Sequence, residues 1–546
     1  MALSRRDVFI LLLGTHAATW AGCSRRQLPP AGEMLSPDIA SGHRLRDRKL
    51  PRVSTGLPAT ESPDAETVPV VIVGGGIAGL SAAWRLRRAG LKNFRLLELE
   101  PHSGGTSRSD RKQGFAYPWG AHYVPAPMKE NAALISLLEE MQVMVGRDAA
   151  GEPVVAEQYL CRDPEERVFA DGRWQEGLYP GGGASDEDLQ QLKAFRAAIG
   201  SWAGRRDQGD KRMFAIPVAT CSTDPQTLAL DQISMQTWMD QQGWTSPRLR
   251  WLVDHSCRDD YGLTIGQTSA WAGIFYFASR LRNGESESQP VITWPEGNGR
   301  IVDYLTSQLG EAVRCSQAVY RIEQPSENQT IVSALDVAND VPVQWRADQV
   351  IFAAPQFLVP YIIQDSADRD TASFQYGAWV VANIHLRDRP RETGFPMCWD
   401  NVIYGSKSLG YVTSTHQTGA DHGPTVLSWY YPLTEQPGKV SRQQLLDLTW
   451  DDWAALVVAD LELVHPDIST YIERLDVMRW GHAMIQPRPG FVWSDARRDA
   501  ARPLGNVHFA NTDLSGVALM EEAFYHGVRA AEEVLAARRH PFESML

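Results

Sequence analysis

Residues 70–79 read Val-Val-Ile-Val-Gly-Gly-Gly-Ile-Ala-Gly. The β-branched run from Val68 to Val73 suits a buried parallel strand. Gly74, Gly76 and Gly79 follow in the Gly-x-Gly-x-x-Gly spacing. Leu80, Ala83, Trp84 and Leu86 then mark the apolar side of a helix, which Gly90 ends. A second short strand, Phe94 to Leu97, stops at Glu98, 22 residues past Gly76. Each part has a physical task in binding a dinucleotide. Gly74 permits the tight turn, Gly76 lets the backbone approach a pyrophosphate, and Gly79 brings helix and strand together. The helix N-terminus offers free N–H groups to the phosphates, and Glu98 suits a ribose hydroxyl. An ordinary glycine-rich βα turn lacks the acid at that spacing.

The residues after Glu98 identify the cofactor class. Leu97 to Thr106 carries an acid followed by Gly104, Gly105 and Thr106. This resembles the signature of the FAD-binding amine oxidase and phytoene desaturase superfamily. Gly114-Phe115 and Trp119-Gly120-Ala121-His122-Tyr123 resemble its next segment, which passes the flavin ring. Ala318 to Ile322, with Val319 at the adenine, and Ala347 to Pro355 resemble later strands of the FAD domain. Val507 to Asp513, followed by Glu521-Glu522-Ala523 and Gly527 to Ala531, resembles the second FAD motif. There Asp513 is expected at the ribityl chain, and the following helix aims its positive end at the flavin. The resemblance implies an α/β fold: a Rossmann-like FAD-binding domain with an inserted mixed α+β substrate domain. No cysteine stands near Asp513, so FAD is expected to be held without a covalent bond.

The resemblance implies a discontinuous FAD domain at 66–125, 295–362 and 502–537. The substrate domain is then 126–294 and 363–501. Ser185 with Asp188 forms a capping-box pattern before Leu189, Leu192, Phe195 and Ile199 at helical spacing. Ala378 to Leu386 and Thr425 to Tyr431 read as strands.

The N-terminus reads differently. Ser4-Arg5-Arg6-Asp7-Val8-Phe9-Ile10 resembles a twin-arginine export signal, and Trp20-Ala21-Gly22-Cys23 a lipoprotein processing site. Residues 1–22 are then an export signal, Cys23 is the lipid anchor, and 23–65 is a flexible tether rich in Pro, Arg, Ser and Gly. The expected location is the periplasm or cell envelope. The 546-residue chain carries a net charge of −13, which argues against nucleic acid as a partner. The other five cysteines are scattered without metal-ligand spacing, so they read as structural and no metal is expected.

Flavin chemistry asks little of protein acids. His122 is a candidate catalytic residue, as a hydrogen-bonding imidazole or a base, against a histidine satisfied by backbone in a turn. Glu521 is a second candidate, facing the cavity to bind a cation, against a carboxylate favoured by the helix dipole. Asp259-Asp260-Tyr261-Gly262 reads as a solvated turn before it reads as cavity wall. Amine oxidases commonly carry a lysine on the strand that matches Gly377 to Leu386, and none stands there. The aromatic expected near Trp480 to Pro487 is not evident. The reading is therefore an exported FAD-dependent oxidoreductase that transfers hydride from a small organic substrate, an amine or an apolar molecule, to flavin N5. Oxygen or a membrane electron acceptor would reoxidise it. A true amine or polyamine oxidase releasing hydrogen peroxide, a flavin-bound protein without turnover, and a redox-neutral isomerase remain open.

Overall fold

A computed structural model describes residues 29, 31–47, 65–282 and 288–546. The twin-arginine segment and Cys23 lie outside the described residues. Among those residues no helix is long and apolar enough to cross a membrane.

The stretch that opened the sequence reading folds as a βαβ unit. Strand Glu66–Val73 leads through the glycine turn into helix Ile77–Arg88, and strand Phe94–Leu97 lies parallel to the first. Val70, Ile72, Leu80 and Leu86 are fully buried between them. Strand Val341–Phe352 returns parallel on the other side of Glu66–Val73, and its C-terminal end pairs with Val507–Phe509. The hairpin Gln317–Ser326 and Gln329–Asp336 completes a seven-stranded sheet. Helix Met520–Ala537 packs along Ile77–Arg88, tight at Gly527, where a Cβ would strike Ser81 and the Ala78 carbonyl. The segments expected to form the FAD domain thus share one sheet. Helix Ala132–Glu140, expected with the substrate domain, instead adds Leu134, Leu137 and Leu138 to this core.

A second, eight-stranded sheet is built on Tyr376–Leu386, Thr425–Pro432 and Ile472–Ile485. Alternation along the strands divides its faces. Ala378, Val380, Leu427, Trp429 and Val477 face a helical layer that includes Trp450–Glu462. Trp379, Val381, Tyr430, Met478 and Trp480 face the other way, against Tyr117 and Trp119 of the chain leaving the FAD motif. A helical lobe adjoins this sheet. Its helix Asp186–Gly204 starts at the expected capping box and buries Leu192, Phe195 and Ile199, while Leu189 stays exposed.

The tether reading needs correction at residues 31–47. Met34–Leu35 pairs with Val477 and Met478, and Ile39–Arg46 is a helix. The composition of the stretch is polar, but its backbone finds an unpaired sheet edge, and that pairing overrides composition.

Candidate active site

The glycine loop has the geometry a pyrophosphate needs. Gly74 sits at φ +105°, and a Cβ there would press on the backbone of Ala353. A Cβ on Gly79 would run into the Gly74 carbonyl. A Cβ on Gly76 would meet nothing within 4 Å, so this glycine borders open space at the start of the helix. Gly104 and Gly105, at φ +120° and +55°, fold beside it, with Gly104 N–H donating to the Gly75 carbonyl at 2.8 Å. Thr106 accepts the Ala121 N–H at 2.9 Å and so sets where the next segment leaves. The Glu98 carboxylate accepts from Gly75 N–H at 2.5 Å and Glu100 N–H at 2.9 Å, and its backbone carbonyl accepts Gln317 N–H at 2.7 Å. That last bond places the strand carrying Val319 beside the acid. Burial pushes the Glu98 carboxyl above its usual range. A space bordered by glycine backbone, a helix N-terminus and one buried acid fits a dinucleotide.

Asp513 is buried at the end of Val507–Phe509. Its carboxylate accepts Gln356 N–H at 2.7 Å and Tyr376 O–H at 2.5 Å, and burial raises it to about 6. It ties the FAD domain to the substrate sheet through Tyr376. Glu521 begins the last helix. It is 3% exposed, its Oε1 has no partner among the described residues, and burial raises it to about 7. It lines a small enclosed cavity with Arg212, Arg280 and Asn131. Glu522 beside it is structural: it accepts Val218 N–H and the Ser515 hydroxyl.

His122 and Tyr123 stand where the chain leaves the FAD motif. Their segment is clamped by Gly297-Asn298, with Asn298 donating to the Ala121 and Tyr123 carbonyls. Gly297 is at φ +57°, and a Cβ there would lie 2.8 Å from His122 Cα. The His122 ring packs against Tyr430 at 4.8 Å, Tyr123 at 5.2 Å and Trp399 at 5.4 Å. Its Nδ1 makes one long contact with the Gly120 carbonyl, 3.4 Å. Burial depresses its pKa to about 4, so it is neutral at pH 7 and a weak base. Its contacts are those of an aromatic wall. We expect His122→Phe to keep activity within about fivefold and His122→Ala to lose about tenfold or more; steady-state kinetics on the two variants would separate wall from base, since a base role predicts equal losses.

The Asp259-Asp260 pair corrects the reading as a solvated turn. Both end helix Pro247–Tyr261, which is capped by Gly262 at φ +59°, where a Cβ would press on Trp379. Asp260 is 4% exposed and forms a two-oxygen pair with Arg280 at 2.8 and 3.0 Å. Tyr123 O–H adds a third bond to Asp260 at 3.2 Å. Removing Arg280 leaves this buried charge bare, so Arg280→Ala should cost about 3–5 kcal/mol, measured by denaturant unfolding.

Asp259 has no such partner. Among the described residues it accepts no hydrogen bond and pairs with no cation, and burial together with the neighbouring Asp260 raises it to about 7. Asp400, on strand Asp400–Ile403, lies near enough to feel the Asp259 charge. Burial, Asp259 and Glu166 hold its carboxyl well above the usual range. The charges of Asp259 and Asp400 both bear on the Tyr430 phenol. His122, Tyr123, Asp259 and Asp400 keep partial solvent access, although burial governs the protonation of each. Asp259 and Asp400 thus act on each other and on Tyr430, whose ring contacts His122.

Asp400, Trp399, Tyr430 and Arg280 were not found from the sequence. The alternation of Thr425 to Tyr431 was a usable signal for Tyr430, but not for which face meets the site. The strand on which amine oxidases commonly carry a lysine presents Trp379 and Val381 to this side.

Comparison with known proteins identifies the family. The chain is 23% identical over 491 residues to bovine amine oxidase [flavin-containing] B, covering 86% of each protein. It is 24% identical over 297 residues to oxidoreductase PigB of a Serratia species, a match spanning 50% of this chain and only 42% of that protein. Putrescine oxidase in a structure with putrescine bound has the same fold, at TM-score 0.62 and 16% identity, covering 86% of this chain and 100% of that one. Residues 77–535 match the profile described as flavin containing amine oxidoreductase, and the chain belongs to that family of FAD-dependent oxidoreductases.

Proposed function

We propose that this protein oxidises a small organic amine, bound as its cation beside Asp259 and Asp400. The observation that carries the reading is the Asp259 carboxylate, which accepts no hydrogen bond among the described residues and whose charge bears on the phenols of Tyr123, Tyr276 and Tyr430. Arg280 acts on Asp259 only at a distance, its ion pair being with Asp260, and an organic cation would both neutralise the Asp259 carboxylate and pack on the ring faces. FAD, held without a covalent bond by the Gly74–Gly79 loop, Gly104–Thr106 and Glu98, would supply the acceptor for the hydride equivalent. Asp259 and Asp400 bind and orient the cation, one of the two carboxylates takes its N–H proton so that the neutral amine can release hydride, His122, Trp399 and Tyr430 exclude water, and Asp513 fixes the substrate sheet against the FAD domain. Amine oxidation is what the names of the bovine relative and of putrescine oxidase describe. The leader supports an envelope location with Cys23 as lipid anchor, where oxygen or a membrane carrier would take the electrons.

The test is anaerobic mixing of purified protein with a panel of amines and, beside it, the alcohols of matching shape. Bleaching of the flavin spectrum by an amine alone is the expected result. Bleaching by apolar or neutral substrates, with amines inert, would overturn the reading in favour of a desaturase-like enzyme. No bleaching by any compound would favour a flavoprotein without turnover.

A further inference from the structure

Residues 31–46 lie ahead of the family match, which begins at residue 77. They nevertheless reach the cofactor acid through an unbroken run of hydrogen bonds. Asp38 N–H donates to the Glu100 carboxylate at 2.7 Å, and Glu100 N–H donates to the Glu98 carboxylate at 2.9 Å. The other Glu98 oxygen accepts Gly75 N–H of the phosphate loop. Both acids sit where burial raises them, and among the described residues the Glu100 carboxylate has, besides the Asp38 N–H, a long approach from Arg108 at 3.7 Å.

The segment is fastened at both ends. On the substrate sheet, the Leu475 and Val477 N–H groups donate to the carbonyls of Ala31 and Glu33. A Cβ on Gly32 would collide with the Leu475 carbonyl. Glu33 and the buried Asp476 share Lys112 and Arg474, at 2.7–3.2 Å. Lys112 ends the strand Ser109–Lys112, just after the Gly104–Thr106 turn. On the FAD domain, helix Ile39–Arg46 packs against strand Gln317–Ser326, and Arg44 pairs with Asp340 at 2.6 Å.

We infer that residues 31–46 are a strap that completes the cofactor site, seating Glu98 through Glu100 and tying the two domains across the nucleotide end. The inference rests on the reading that Glu98 and the Gly74–Gly79 loop hold FAD. If the strap stabilises bound FAD, then by reciprocity bound FAD holds the strap down.

The experiment is trypsin cleavage of the wild-type chain with and without FAD, following the cuts after Arg44 and Arg46 against cuts elsewhere. FAD should slow the strap cuts about tenfold more than the others, because cleavage tracks the population of the open form. Equal protection at all sites, or none, would overturn the strap. FAD affinity, read by quenching of flavin fluorescence, gives the second measurement. Gly32→Val, which pushes the strap off the sheet, and Asp38→Pro, which removes the donor to Glu100, should each weaken FAD about tenfold. Asp38→Ala keeps that N–H and should stay within about twofold. Wild-type affinity in Gly32→Val and Asp38→Pro would overturn the inference. A wild-type chain that binds no FAD at all would instead sink the cofactor reading on which it rests.

Discussion

Gly76→Val should yield a folded protein with no flavin. Gly76 has φ −71° and ψ −178°, an extended conformation that valine adopts freely. A Cβ there meets no protein atom within 4 Å, so the added side chain starts into open space. It fills the space from which a pyrophosphate reaches the backbone at the head of helix Ile77–Arg88. We expect FAD affinity to fall by at least about a hundredfold, with the melting temperature of the FAD-free form moved by no more than about 2 °C. Gly79→Ala provides the contrast. Its Cβ would strike the Gly74 carbonyl, so it should damage the loop itself and lower the stability of the FAD-free form. Absorbance of the purified variants and their thermal unfolding give both readings. A Gly76→Val protein that retains its flavin would place the cofactor elsewhere.

Asp259→Asn should abolish most amine turnover and stabilise the protein. The change keeps size and removes charge. With the carboxylate gone, the cation faces a neutral amide and loses about 3 kcal/mol or more, roughly a hundredfold in kcat/KM. The pH dependence carries a sharper signature. The Asp259 carboxyl of the free protein titrates at about 7, held up by burial and by Asp260. In the wild type, kcat/KM for the amine should therefore rise as pH rises through about 7, and this limb should vanish in Asp259→Asn. Stability runs the other way. A carboxyl whose folded-state pKa lies above its unfolded value favours the native state while protonated. Its contribution is fully present below the unfolded pKa, near 4, and is lost as pH rises through about 7. Asp259→Asn should then melt higher than wild type at pH 8, with the gap closing towards pH 4. The acid that bears on Asp259 is Asp260, which keeps its Arg280 pair in the variant, so the limb near 7 leaves with Asp259. An unchanged pH profile in the variant would remove Asp259 from the substrate site.

Local physics made the cofactor end of the molecule legible in the sequence. The positive φ of Gly74 and the close packing of Gly79 are backbone demands that glycine meets, and Gly76 leaves room for a ligand to reach the backbone, so the three surface as a pattern. The strands at Ala378 to Leu386 and Thr425 to Tyr431 were legible for a similar reason, as β-branched and aromatic runs. The proposed substrate site was not. It is assembled from the end of one helix (Asp259), a short strand far along the chain (Asp400) and one face of another (Tyr430), and no local rule links them. Asp259-Asp260 looked like a solvated turn because the sequence does not reveal that Arg280 and Tyr123 arrive to bury Asp260. The strap was missed for a related reason. Its polar composition favours disorder, and only the vacant edge of Ile472–Ile485 gives its backbone a partner.

The most direct test of the substrate site is the position of a non-oxidisable cation, such as tetramethylammonium, in crystals of the FAD-loaded protein. It should sit beside Asp259 and Asp400, about 6 Å or less from the ring centroids of Trp399 and Tyr430. Density for the cation elsewhere, with only water beside Asp259 and Asp400, would contradict the proposed binding of an amine by these two acids.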